Sequence, residues 1–393
     1  MRNAMSSLIV QPRARLFHGH VWVYAIEIHK RLGDPQPGDV VRLQDVRGKP
    51  LGSAIYNPKS QISARLFSYR RQDLDLDFFT RRIERAVKAR QEAGVDLSLC
   101  RLVWSESDGL PGVVVDRYGD LLVLQTLTLG MALRQEMIVQ ALNDVLKPRG
   151  IIQRNEGAVR LAEGLEQVKG LVSGETPEPF VVRYEGSAFQ ADLLEGQKTG
   201  LYLDQLDNYQ QVAKLARGRR VLDCFCNQGG FAQAAALAGA SEVTAVDISE
   251  SAVALAAKNA AISGTKIHFI AENCFDFLKR QESADARYDL IILDPPSFTK
   301  SKSTVKDALR GYKEIHLRAM KMLEPGGIFA TFTCSHHVSA GEFHSSILEA
   351  AVDAKKVLRR ICTFTQRRDH PILATIPETE YLRGYAYEVV ASW

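Results

Sequence analysis

No apolar run in the 393 residues approaches the roughly 18 to 20 needed to cross a bilayer as a helix, so no membrane span is expected. The opening residues, Met1 to Leu8, lack the long apolar stretch of a signal peptide, and a cytoplasmic location is the expectation. There is no Cys-x-x-Cys pair, which removes the commonest structural zinc pattern, and no metal site is expected. The six cysteines have no regular spacing, and two share the stretch Cys224-Phe225-Cys226. That usage fits a reducing compartment, not a disulfide framework. Internal repeats and low-complexity tracts are missing. So are a Gly-x-Gly-x-x-Gly fingerprint and a P-loop, which leaves a pyrophosphate cradle poorly supported.

What is present is ordinary in bulk and uneven in detail. Hydrophobic content of 46% and charged content of 24% belong to a globular protein, and the length calls for two or three domains. Residues 1–72 carry twelve Lys/Arg against only Glu27, Asp34, Asp39 and Asp45, a net of +8. The chain as a whole is +4, so the remainder is −4. A basic module joined to a mildly acidic body points to a polyanionic partner, with a solvated basic surface as the plainer alternative.

Three blocks follow from periodicity. Residues 1–72 read as short strands with turns at Pro37-Gly38-Asp39 and Arg47-Gly48-Lys49, closing into a small β-barrel. Residues 73–182 read as α+β: a helix from Leu76 to Ala93, a hairpin around Arg117-Tyr118-Gly119-Asp120, and a helix from Leu133 to Leu146. Residues 183–393 alternate strand and helix, and the spacing predicts a doubly wound parallel sheet of seven strands. The expected fold class is therefore α/β, with a Rossmann-like C-terminal sheet preceded by a β-barrel and an α+β block.

The chemistry collects at predicted strand ends, where open parallel sheets place ligands. Asp223 and Cys224 end the first strand and lead into Gly229-Gly230. Asp247, followed by Ile248, ends the second and is placed to accept from the two hydroxyls of a ribose; helix capping is the plainer role. Glu272-Asn273-Cys274 follows the third strand, where Asn273 can meet an adenine edge or cap a helix. A ribose acid without a diphosphate cradle favours S-adenosylmethionine over NAD. Upstream, Gly196 to Gln205 is densely polar, with Lys198, Tyr202, Asp204 and Gln205 suited to a charged ligand end or to RNA.

Two further strand ends carry Asp294-Pro295-Pro296 and Thr333-Cys334-Ser335. C5 of a pyrimidine is a poor nucleophile. A thiolate adding to C6 makes C5 enamine-like, and C5 can then take a methyl from a sulfonium. Cys334 is the expected nucleophile, and Asp294 is placed to supply or hold a proton at N3. His336 and His337 are candidates for easing thiolate formation. Buried strand cysteine is the plainer reading of Cys334. Asp294-Pro295-Pro296-Ser297-Phe298 also suits methylation of a base nitrogen, with Phe298 stacking on the base, so it leaves the atom open.

These motifs together resemble the bacterial 23S ribosomal RNA large-subunit cytosine-5 methyltransferases that carry an N-terminal PUA domain. The resemblance spans essentially the whole chain. It rests on His20-Val21-Trp22-Val23-Tyr24, Glu106 to Gly112, Asp116-Arg117-Tyr118-Gly119, Gln197 to Gln205, Gly229-Gly230-Phe231, Asp294 to Phe298, Arg310-Gly311-Tyr312-Lys313 and Thr333-Cys334-Ser335. It implies Cys334 and Asp294 as catalytic groups. It also implies S-adenosylmethionine bound by Lys198, Tyr202, Asp204, Gln205, Asp223, Cys224, Gly229, Asp247, Ile248, Asn273, Cys274 and Asp294. Ribosomal RNA, met before or during subunit assembly, is the implied partner, and a homodimer the implied assembly. Two positions depart from the family: Leu206 replaces an Arg, and Cys226-Asn227-Gln228 replaces Ser-Tyr-Thr before the paired glycines. The competing functions are a guanine or adenine nitrogen methyltransferase, an RNA-binding assembly factor without catalysis, and an NAD dehydrogenase.

Overall fold

The computed structural model describes residues 6–11, 14–196, 200–299 and 301–393. The chain divides into two compact units. One comprises residues 1–179, 192–203 and 368–379; the other comprises 180–191, 204–367 and 380–393.

The first unit holds two sheets. Six strands between Ser7 and Ser68 pair in one sheet, whose outer strands are Trp22–Val23 and Ile28–Leu32. The turn at Pro37-Gly38-Asp39 lies before strand Val40–Gln44, which pairs antiparallel with Pro50–Tyr56. The second sheet has five strands between Leu99 and Gly174. Helices Leu76–Glu92 and Gln135–Leu146 bury Phe79, Ile83, Ile138 and Leu142 together with Leu102, Val115 and Leu124 of that sheet. The Asp75 side chain starts the first helix by accepting from Phe78 N at 2.8 Å. Arg90, at its other end, is 2% exposed and forks onto both carboxylate oxygens of Asp108, at 2.5 and 2.8 Å. Such a pair is tolerated in a core because the planar guanidinium fits the carboxylate with two bonds. The helix expected from Leu133 is shorter and begins at Gln135, after a separate turn of helix at Leu129–Ala132. Arg134 breaks the two apart and donates to the carbonyls of Gly38 and Gly130.

The second unit is the αβ body. Its sheet contains β1 (Arg220–Cys224), β2 (Glu242–Asp247), β3 (His268–Ala271), β4 (Tyr288–Leu293), β5 (Leu323–Thr333), β6 (Lys356–Thr365) and β7 (Arg383–Ser392). The spatial order is β3-β2-β1-β4-β5-β7-β6. Helices α1 (Leu206–Ala213), α2 (Gly230–Leu237), α3 (Glu250–Ser263), α4 (Cys274–Ser283), α5 (Val305–Lys321) and α6 (Ala340–Asp353) accompany it. Leu290, Ile291, Ile292 and Leu293 of β4 are all fully buried, the continuous apolar run of a central strand covered on both faces.

Seven strands were expected, all parallel. Six run in one direction, but β7, set between β5 and β6, runs antiparallel to both. No α-helix separates β6 from β7, only a 3-10 turn at Pro377–Thr379, so the crossover that parallel pairing demands is missing. Ahead of α1, the hairpin Phe180–Tyr184 and Ser187–Ala191 turns through Glu185 (φ 48°) and Gly186 (φ 87°), as a tight hairpin requires.

Under β5 lies a buried polar stripe. His316 of α5 bonds Thr331 Oγ1 at 3.0 Å, and Tyr312, one turn earlier, bonds Thr333 Oγ1 at 2.8 Å. Burial pushes the His316 pKa down to about 3. The unfolded chain therefore binds a proton here between about pH 6.5 and 3 that the folded chain refuses. The stabilisation is complete above pH 6.5 and is lost as the pH falls towards 3, at up to about 1.4 kcal/mol per pH unit. His316→Gln is expected to flatten the fall in denaturant midpoint between pH 6.5 and 4. Parallel pH curves for parent and variant would show that His316 is not a buried neutral imidazole.

Candidate active site

The carboxyl edge of the sheet is set by register. Across four parallel strands, Val246, Cys224, Leu293 and Thr331 stand in one row. Asp247 and Asp294 come next on β2 and β4. Cys334 comes three residues after Thr331, so it lies about 7 Å further along than Asp294 at the usual rise per residue. The Cys334 loop re-enters helix at Ser339, whose hydroxyl accepts from Glu342 N while Glu342 Oε2 accepts from Ser339 N. That reciprocal cap fixes where the loop ends.

The loop after β1 is bent by three positive-φ residues: Phe225 (64°), Asn227 (46°) and Gly229 (78°). Glycine is needed at 229 for that conformation. It is needed at 230 for space, since a Cβ there would lie 2.4 Å from the Tyr209 ring. The loop is tied across to β2, with Cys226 N donating to Val246 O at 3.0 Å and Asn227 N to Asp247 Oδ2 at 3.0 Å. Asp247 Oδ1 accepts from Ser249 N at 3.0 Å, and Ser249 caps α3. The capping function expected as the alternative for Asp247 thus falls to Ser249. Asp247 organises the loop and keeps spare lone pairs on both oxygens.

Asp223 is completely buried. Its Oδ2 accepts from Ala232 N at 3.0 Å, and its Oδ1 has no hydrogen-bond partner among the described residues. Burial pushes its carboxyl well above the usual range, and the negative charges of Asp294 and Asp247 add to the shift. Two acids at the adjoining strand ends therefore act on Asp223. Asp294 Oδ2 accepts from Gln205 Nε2 at 2.9 Å. Burial raises the pKa of Tyr312, and the charges of Cys334 and Asp294 raise it further.

Other expected residues take different places. The thiols of Cys224 and Cys274 lie in the core; Cys274 Sγ accepts from Phe225 N at 3.3 Å and reaches Val246 O at 3.6 Å. Any contact to a ligand from these two positions is left to the backbone. Asn273 caps α4, its Oδ1 accepting from Phe275 N at 2.9 Å, and its exposed amide nitrogen stays available. Ile248, next to Asp247, is 67% exposed. Asp204 Oδ2 accepts from Tyr381 OH at 2.7 Å. Tyr202 belongs to the other compact unit, and Lys198 lies outside the described residues. Phe298 packs on Tyr312 (centroids 4.7 Å apart), Phe275 (5.7 Å) and Phe225 (6.3 Å). His336 faces the Tyr381 ring at 5.8 Å.

Asn208 and His316 were not singled out in the sequence, and Tyr312 only as part of the Arg310-Gly311-Tyr312-Lys313 motif. Asn208 bonds Gln205, three residues away on the same helix turn, and that spacing beside Asp204-Gln205 was the available signal. Tyr312 and His316 were legible as polar residues four apart among the buried Ala308, Ile315 and Ala319.

Residues 165–363 match a family described as S-adenosylmethionine-dependent methyltransferase, and residues 11–69 match a PUA-like domain. Proteins called ribosomal RNA large subunit methyltransferase I are similar over nearly the whole length. The one from Erwinia tasmaniensis is 38% identical over 95% of this chain and 96% of its own. Those from Escherichia coli are 36% identical over 98% of this chain and 100% of theirs. The chain belongs to the ribosomal RNA large subunit methyltransferase I family. A SAM-dependent methyltransferase from Streptococcus mutans shares its fold, with a TM-score of 0.83 at 22% identity over 98% of this chain and 100% of that one. A methyltransferase solved with SAH reaches a TM-score of 0.84 over the same shares.

The methyltransferase is S-adenosylmethionine-dependent, and its edge suits that cofactor. That molecule carries an ammonium, a sulfonium and a ribose diol, and the edge carries the unpartnered Asp223 Oδ1 and the Asp247 carboxylate. Asp247→Ala is expected to weaken S-adenosylmethionine binding about tenfold or more, the loss of a charge-assisted pair of hydrogen bonds. Calorimetry checks it, and an unchanged Kd would remove Asp247 from the cofactor site.

Proposed function

We propose that the protein methylates C5 of a cytosine in large-subunit ribosomal RNA through a covalent bond between Cys334 and C6. The observation that carries the reading is the pairing of two strand ends. A partly exposed thiol and a carboxylate stand on adjoining parallel strands, and both act on the same buried phenol of Tyr312. A flat ring entering there meets a nucleophile and a proton donor together.

In this mechanism Cys334 Sγ bonds to C6, and the electron pair displaced from the C5–C6 bond moves towards N3. Asp294 supplies the N3 proton and takes it back when the C5–C6 double bond is restored. S-adenosylmethionine, when bound, supplies the electrophilic methyl that C5 takes. A base then removes the C5 proton, the C6–S bond breaks, and Cys334 leaves as thiolate. Asp223, Asp247, Asn273 and Gly229 form the cofactor side of this proposal, with Lys198, Tyr202, Asp204 and Ile248 as further contacts. The PUA-like domain, in the basic block 1–72, is the natural holder of the RNA backbone; block 73–182 is the central α+β domain and block 183–393 the methyltransferase domain. The substrate is a precursor or assembling subunit, because a cytosine must leave its stack to reach the thiol.

Nitrogen methylation at the same motif is the weaker reading. It needs the Phe298 face for the target base, and that ring already packs among Tyr312, Phe275 and Phe225.

Cys334→Ala is expected to abolish methyl transfer while RNA binding survives. Transcribed large-subunit RNA containing 5-fluorocytidine should trap the parent enzyme as an adduct, seen by denaturing electrophoresis. Full activity in the alanine variant would sink the covalent mechanism.

A further inference from the structure

A chain of buried amides runs from the end of β6 to Asp294, and every link has only one workable orientation. The Thr365 carbonyl can only accept. Asn208 Nδ2 donates to it at 3.0 Å, so the amide nitrogen of Asn208 faces that strand end. The same nitrogen donates to Gln205 Oε1 at 2.7 Å. Gln205 therefore turns its oxygen to Asn208 and its nitrogen to Asp294 Oδ2, at 2.9 Å. Asn208 is 1% exposed and Gln205 3%, and Asn208 Oδ1 has no partner among the described residues. Reversing Asn208 would put oxygen against the Thr365 oxygen and break both of its bonds. A backbone carbonyl on an outer strand thus dictates the polarity of a contact on a central one.

We propose that Gln205 and Asn208 are positioning residues that hold Asp294 Oδ2 as a permanent acceptor, so that a proton on Asp294 resides on Oδ1. This rests on the reading in which Asp294 serves N3 of the base. It assigns that exchange to one oxygen and gives Gln205 a task other than cofactor binding. Asp294 then meets each substrate with its donor already aimed, and no rotation of the carboxyl is needed before the thiol adds.

The test uses two variants of the full chain with transcribed large-subunit RNA. Gln205→Met keeps the length but donates nothing, and is expected to lower kcat about tenfold or more while the S-adenosylmethionine Kd by calorimetry stays within about threefold. Gln205→Glu can still accept from Asn208, but it sets a carboxylate oxygen against Asp294 Oδ2. Two acids in contact share a proton, and the limb of the kcat–pH profile that reports Asp294 is expected to move up by about one unit or more. Asp223 on β1, Tyr312 on α5, Cys334 on the adjoining strand end and Asp204 beside Gln205 are common to parent and variant, so the difference reports the new carboxylate. A weakened Kd in both variants, with parent kcat restored at saturating cofactor, would overturn the proposal and make Gln205 a cofactor ligand. Superposed pH profiles for parent and Gln205→Glu would also overturn it. Adduct formation by the parent on 5-fluorocytidine RNA separates the two levels. With an adduct, superposed profiles fail the relay alone; without one, the cytosine reading falls and the relay with it.

Discussion

The register between β4 and β5 is the constraint on which the rest depends. Leu293 stands opposite Thr331, and that single alignment fixes how far Asp294 and Cys334 project past the sheet. A slip of one residue would turn every side chain on one strand to the other face. It would carry Ile291 and Leu293 out of their packing and move the thiol away from the acid in the same step. The apolar run of β4 specifies the alignment, because all four of Leu290 to Leu293 are fully enclosed. Chemistry at this edge is a by-product of how a core strand packs.

Charge is the second theme. Asp223, Asp247 and Asp294 gather at adjoining strand ends, and no group of three metal-ligating side chains forms among the described residues. The charges of Asp247 and Asp294 at this edge complement a ligand carrying ammonium and sulfonium charges. The cost appears as the high proton affinity of Asp223. That cost is bearable because one of its oxygens is satisfied by the start of α2.

Much of this was legible in the chain. The strand-end acids, the cysteine and the paired glycines announced themselves because strands, turns and helix starts leave local signals. The seven strands were also countable. The direction of β7 was not, since it depends on what joins Thr365 to Arg383 and not on the composition of either strand. The destination of the Cys224 and Cys274 thiols was hidden for a related reason. Alternation along a strand or helix tells that a residue has two choices of face, and only the assembled layers decide which is inside. The amide chain through Asn208 joins residues more than 150 positions apart, beyond any local pattern. Phe298 was read as a free stacking face because nothing local reveals the rings of Tyr312, Phe275 and Phe225 around it.

The insertion of β7 between β5 and β6 has a consequence for the order in which the protein is made. The strand that ends at Cys334 has β4 on one side as soon as it is synthesised, but its other neighbour begins only at Arg383. Until then β5 is an open edge, with unpaired backbone groups. The strand that closes this edge is made only after β6, so β5 gains its second neighbour late in the assembly of the sheet.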